Sequence, residues 1–304
     1  MNSESSSALI QKPLRFYIGP YKFSVNFNLV QYKIPFWDQD LNLEKSINEY
    51  PINTFLSSAL IDQNIELKHK DGIVYVSSTY PRYLTDISTD FDTYQKKLGQ
   101  KARYNLRKSS KKFFEQTDMN PSFKAYKTES EISEFYDLAR IVSKETYQEK
   151  QLGISIPDDP KYLARLKTKA QNNEARGYLL FMNDTPIAFA LALAESGTLI
   201  GEYMGFDVKY SKYSPGVVVK WESLKDLFEE QIFNWFDFTE GEGLHKRRFA
   251  THSFDCGDVF IVPPSLKNKV LFITHRGFTS LMNSLDQLLV KNNAKPTIKK
   301  WLRK

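Results

Sequence analysis

The chain has 304 residues, 41% hydrophobic and 26% charged, enough to bury a core and to fill about two domains of the usual ~150 residues. It has no apolar run of the ~18 residues that would read as a membrane span, and its polar, serine-rich start lacks the basic and apolar regions of a secretion signal; one cysteine, Cys256, permits neither an internal disulfide nor a multi-thiolate metal site. The formal charge of +6 divides unevenly, with +8 on residues 96–112, +8 on residues 265–304 and −10 on the remainder, so cationic surface is confined to two segments and a uniformly basic nucleic-acid coat is excluded.

Along the chain, residues 14–18, 23–32 and 73–78 are aromatic and β-branched runs broken by Gly19-Pro20 and Asp71-Gly72, the pattern of strands. From about 91 to 114, Leu98, Ala102, Leu106, Ser109 or Ser110, and Phe113 recur at nearly fourfold spacing, which predicts one amphipathic helix with an entirely cationic wet face. Thr128 and Glu131 form a capping box ahead of a second helix through Phe135, Leu138, Ala139 and Val142. Asp159-Pro160, an N-cap followed by proline at the first helical position, starts a third through Leu163, Leu166 and Ala170.

Residues 177–182, 187–194 and 198–204 are three apolar strands separated by turns too short for a crossover, so they form an antiparallel meander. A helix over about 217–231 and a strand over 232–238 follow; this crossover predicts that the last strand lies parallel to 198–204. Beyond Ser265 the alternation of Leu281, Leu285, Leu288 and Leu289 with Lys291 and Lys295 predicts a helical tail.

Two helices, a meander, a loop, a helix and a parallel strand resemble the order of the GNAT acyltransferase core. Tyr210, Tyr213-Ser214-Pro215-Gly216 and the stretch from Phe236-Asp237-Phe238 to Lys246 resemble the CelD-like GNAT acetyltransferases, relatives of the Fem aminoacyl transferases. The resemblance runs over residues 99–113, 177–216 and 235–249. It implies an α/β GNAT fold with a mixed, mostly antiparallel sheet flanked by helices, in two GNAT-like halves. The expected segments are an acceptor domain over 1–114, a catalytic domain over 115–264 and a basic helical tail over 265–304.

The resemblance further implies transfer of an acyl group from acetyl-CoA, or a longer acyl-CoA, to a primary amine. The CoA diphosphate is expected at the start of the crossover helix, on Lys212, Tyr213, Ser214, Gly216 and Val217, where free N–H groups and the helix dipole favour an anion. The pantetheine arm is expected on the strand edge at Tyr203, Met204 and Gly205. Glu202, the one acid within that apolar strand, is the candidate general base, against the plainer alternative of a solvent-facing glutamate paired with a lysine. Lys246 is expected to stabilise the oxyanion and His245 to move a proton, with Asp237 and Glu240 as substrate-binding acids. The spacing of Asp237, Glu240, Glu242 and His245 matches no common metal pattern, and none is expected. Flanking acids would raise the Cys256 thiol, which argues against a covalent enzyme intermediate.

The expected partner is a small amine acceptor such as a sugar or amino acid derivative. The cationic helix leaves two alternatives open: an anionic acceptor, or, with an aminoacyl-tRNA donor as in the Fem relatives, RNA. The tail permits a third, a noncatalytic factor on an anionic membrane surface. A cytoplasmic location, peripheral at the inner face of a membrane if the tail engages lipid, is the corresponding expectation.

Overall fold

The computed structural model describes residues 7–18, 21–33, 47–61 and 67–291. In chain order the elements are β1 (Ser7–Ile18), β2 (Tyr21–Lys33), β3 (Thr54–Leu60), β4 (Ile73–Asp86), α1 (Phe91–Lys97), α2 (Gln100–Phe114), β5 (Ser122–Tyr126), α3 (Glu129–Lys144), α4 (Tyr147–Leu152), α5 (Pro160–Gln171), β6 (Ala175–Met182), β7 (Thr185–Glu195), β8 (Thr198–Phe206), α6 (Pro215–Glu230), β9 (Trp235–Glu240), α7 (Leu244–Arg247), β10 (His252–Val262) and α8 (Leu266–Lys291). The chain divides into two compact units, Met1–Pro81 with Asp255–Lys304, and Arg82–Phe254. The basic helix therefore belongs with the strands that follow it, and the C-terminal tail with the N-terminal strands, a different division from the three consecutive segments expected.

In the first unit the strand order is β1-β2-β3-β10-β4. β10 returns from far along the chain to pair antiparallel with β3, Phe260 opposite Phe55, which is why the unit is discontinuous in sequence. α8 lies against this sheet through Phe272 and His275, both buried, and through Phe278. His275 and Tyr75 are hydrogen-bonded to each other. The aromatic residues thus dock the tail, while Leu281, Leu285 and Leu288 are exposed; Leu289 and Lys295 lie outside the described side chains.

The second unit carries the order β4-β9-β8-β7-β6-β5, to which β4 gives residues 82–86. The meander β6-β7-β8 is antiparallel as its short turns require, and β9 runs parallel to β8. One face packs on α3 and α5 through Phe135, Ala139, Leu166, Leu179 and Leu191; the other packs on α6 and α2 through Tyr178, Leu180, Val218, Leu224, Leu106 and Phe113. α3 begins at the capping box of Thr128 and Glu131, worth ~1 kcal/mol at such a terminus, and α5 begins at Asp159-Pro160.

Two helix and strand boundaries differ from expectation. The helix over 91–114 is two helices, because Leu98 and Gly99 are extended between α1 and α2; the apolar period runs on across the break and so conceals it. The strand after α6 begins at Trp235, because Gln231 takes a left-handed conformation that ends the helix and residues 231–234 reverse the chain.

Candidate active site

The site starts from a strand pair that comes apart. β8 and β9 pair only at Thr198 with Trp235, Leu199 with Phe236 and Ile200 with Asp237, whereas β7 stays paired with β8 as far as Phe206. Beyond Ile200 the β9-facing edge of β8 therefore loses its ladder partners. A cavity of about 200 Å³ opens in the split, lined by Gly201, Glu202, Tyr203 and Met204 of β8, Phe236, Phe238 and Thr239 of β9, Lys220 of α6, and His245 and Lys246 of α7.

The end of β9 is built to hold Lys246. Thr239 sits at φ 66°, a left-handed conformation that a β-branched residue adopts at a cost of ~1–3 kcal/mol. Its N–H is fixed by Asp237 Oδ1 at 2.7 Å, and Asp237, fully buried, also accepts from Arg82 Nε at 2.8 Å. The bent backbone aims two carbonyls at Lys246, whose Nζ donates to Glu240 O at 2.6 Å and Thr239 O at 3.3 Å. Asp237 thus shapes the strand end through Arg82 and Thr239, and neither it nor the exposed Glu240 lines the cavity.

Three basic groups face the cavity. Burial lowers the Lys246 pKa, partly offset by Asp237 and Glu240. His245, on the solvent-exposed turn at the mouth, is lowered below 6.5 by partial burial and then by Lys220 and Lys246, so its imidazole is neutral at neutral pH. Lys220 is only 8% exposed, with Nζ 5.0 Å from the centre of the Phe238 ring and 5.4 Å from that of Phe249. Burial and then Lys246 push its pKa down to about 7.

Glu202 is not the lone carboxylate expected. Arg165 of α5 donates to it at 2.7 and 3.3 Å, and Tyr162 donates at 3.3 Å; burial and then Glu202 push the Tyr162 phenol up, which keeps it a donor. Packing of α5 on the sheet supplies both partners.

Tyr203 and Met204 line the cavity, as Gly205 and the loop 212–217 do not. A Cβ at Gly205 would lie 2.5 Å from Thr146 Cγ2 and 3.0 Å from Phe189 Cε1, and one at Gly216 would lie 3.0 Å from the Phe206 ring, so both glycines serve packing. At the start of α6, Ser214 has φ 54°, Pro215 has no N–H, and the N–H groups of Val217 and Val218 turn back to Ser214 O. Fewer donors are free here than the sequence implied. Lys212 Nζ lies over the Tyr213 ring at 4.8 Å, and Tyr213 reaches Met119 Sδ at 3.2 Å.

Lys220 and Thr239 were absent from the sequence-based set. Lys220 left a signal, since it falls on the apolar stripe of Val217, Leu224 and Leu227, where a lysine is out of place. Thr239 left none, because its conformation is imposed by Asp237. Among the described residues no group of three His, Cys, Asp or Glu is placed to hold a metal, and no helix is long and apolar enough to cross a membrane.

Residues 100–247 match the family model described as an acetyltransferase (GNAT) domain. No curated protein matches the sequence. Among solved structures, a conserved protein of unknown function from Bacteroides thetaiotaomicron VPI-5482 is similar over 84% of this chain and 85% of its own, at 15% identity and TM-score 0.50. L-PGS from Bacillus licheniformis is similar over 86% and 87%, at 14% identity and TM-score 0.49. FemX is similar over 81% and 88%, at 10% identity and TM-score 0.47. Residues 100–247, which hold the splayed parallel strands and the helix that follows β8, are thus similar to an acetyltransferase (GNAT) domain.

Proposed function

We propose that the protein is an N-acyltransferase that moves a short acyl group from acyl-CoA to a primary amine. The observation that carries this reading is the split between β8 and β9, which ends in a cavity faced by His245 and Lys246. The edge of β8 past Ile200 offers backbone donors and acceptors to the amides of a pantetheine arm, much as it would to another strand. A cavity of about 200 Å³ is smaller than the ~300–1,000 Å³ of sites for drug-sized ligands, which favours acetyl over a long acyl chain. The loop 212–217 is the place for the diphosphate, with Lys212 and the Gly216 N–H as its ligands.

In this reading the free amine attacks the thioester carbon. The C–N bond forms, the carbonyl oxygen becomes an oxyanion beside Lys246, and the C–S bond then breaks to release CoA thiolate. The surplus proton of the amine passes to neutral His245 and on to solvent or the thiolate. Glu240, exposed beside Lys246, is the acid available to an incoming ammonium. Cys256 is buried and does not line the cavity, so attack is direct.

Release of free thiol from acetyl-CoA, followed across a panel of amines, tests the reading. Turnover that persists in Cys256→Ser supports direct attack, and abolition contradicts it. One feature favours an aminoacyl-tRNA donor instead: α2 presents Arg103, Arg107, Lys108, Lys111 and Lys112 along one groove with Tyr104, which is 61% exposed. Retention on a tRNA column with steep salt dependence, together with indifference to acyl-CoA, would move the assignment there.

A further inference from the structure

Lys220 is a buried amine that lines the cavity without an acidic partner. No carboxylate among the described residues pairs with it, and Glu202, the one acid lining the cavity, is held by Arg165 and Tyr162. The charged and titratable groups around it are Lys246 and His245 of α7, Glu202 and Tyr203 of β8, and Tyr178 of β6, whose hydroxyl donates to Asp226 at 3.2 Å; Asp237 faces Lys246 from β9. Burying an unpaired ammonium among Phe238 and Phe249 is unfavourable, and Lys246 beside it makes it more so. Methionine would fill the same stripe of α6 at no such cost. An anionic ligand would bring the counter-charge that lets this amine be held as an ammonium.

We propose that the inner end of the cavity binds an oxyanion, a carboxylate or phosphate carried by the amine acceptor, on Lys220 Nζ. This rests on the acyl-transfer reading of the same cavity and narrows its substrate to amines that also bear an acid, such as amino acids or phosphorylated amines. Polyamines and purely cationic amino sugars are disfavoured, because they bring like charge to Lys246 and no anion for Lys220. The ammonium that pairs with the bound oxyanion forms by uptake of one proton from solvent, since Lys220 is largely neutral above pH 7 in the empty site.

The experiment is calorimetric titration of the full chain with ethanolamine, β-alanine and O-phosphoethanolamine, at pH 7.5 and 9.0, each in two buffers of different ionisation enthalpy. His245 is neutral at both pH values, so its charge does not vary. The expected result is that at least one of the two anionic amines binds tenfold or more tighter than ethanolamine. That preference should weaken at pH 9.0 by the order of tenfold and be accompanied by uptake of about one proton. The better of the two identifies the oxyanion. Lys220→Met should abolish the preference, and Lys220→Arg, permanently charged, should keep it without the pH dependence. Equal binding of all three amines, binding of none, or a preference that survives Lys220→Met overturns the proposal. Acetyl-CoA added to the same samples separates the two ideas. A thermal shift with acetyl-CoA but no anion preference defeats only this proposal, and the preference without the shift defeats only the acyl-CoA reading.

Discussion

Arg165 closes on Glu202 with two hydrogen bonds, at 2.7 and 3.3 Å, and thereby occupies the only carboxylate among the described residues that line the cavity. A base must have a free lone pair where the proton departs, and this carboxylate has its oxygens directed at α5. Glu202→Gln is predicted to lower kcat/KM by less than about tenfold and to leave the pH profile in place. The pair is part-exposed, so its loss should cost ~0–1 kcal/mol of stability. A loss of a thousandfold with a displaced acidic limb would return Glu202 to the role of base.

His245→Gln tests the proton acceptor that the geometry offers instead. The expected loss in kcat is ~10²–10⁴-fold with little change in KM for acyl-CoA. The sign of the pH dependence follows from the lowered pKa: the imidazole is the active base when neutral, so the rate is full at neutral pH and falls as pH drops below 6.5. That acidic limb should vanish in the variant.

Lys220 couples the site to stability. Its pKa falls from 10.5 in the unfolded chain to about 7 in the folded one, so between those values the unfolded state binds the extra proton. The contribution is full above pH 10.5 and is lost as pH falls toward 7, by up to about 5 kcal/mol at ~1.4 kcal/mol per unit. Lys220→Met should therefore raise the melting temperature at pH 7 and raise it less at pH 10. Urea denaturation of both proteins across this range measures the difference.

Gly205 tests packing against ligand approach. A methyl at Gly205 meets Thr146 Cγ2 at 2.5 Å, and Gly205→Ala should destabilise by ~1–3 kcal/mol. Thr146→Ser removes that Cγ2 and keeps the hydroxyl that caps α4, so the double variant should recover part of the loss. No destabilisation, with a raised KM for acyl-CoA, would mean that the glycine serves the cofactor.

What the sequence revealed depended on whether the cause was local. The meander was legible because Asn183-Asp184 and Ser196-Gly197 leave room only for hairpins, and α3 and α5 were legible because Thr128-Glu131 and Asp159-Pro160 announce their first turns. β10 is not legible, since Asp255, Gly257 and Asp258 break any strand pattern and its partner β3 lies far away in sequence. The same distinction divides the site. Lys246 and His245 follow a strand whose end can be read, and both reach the cavity. The pairing of Glu202 is not legible because its partner comes from a helix 37 residues earlier, placed by packing that no local pattern encodes. Lys220 interrupts an apolar stripe, a signal that acquires a meaning only once that stripe is placed beside the strand split.

Whether the split between β8 and β9 receives acyl-CoA is read from the thermal midpoint of the purified protein with acetyl-CoA, longer acyl-CoAs, free CoA and no ligand. Ligand at ~100 times its dissociation constant adds ~2.7 kcal/mol, a rise of several degrees. The account predicts that rise with acetyl-CoA and a smaller one with long-chain acyl-CoAs. An unchanged midpoint with every one of them would contradict it.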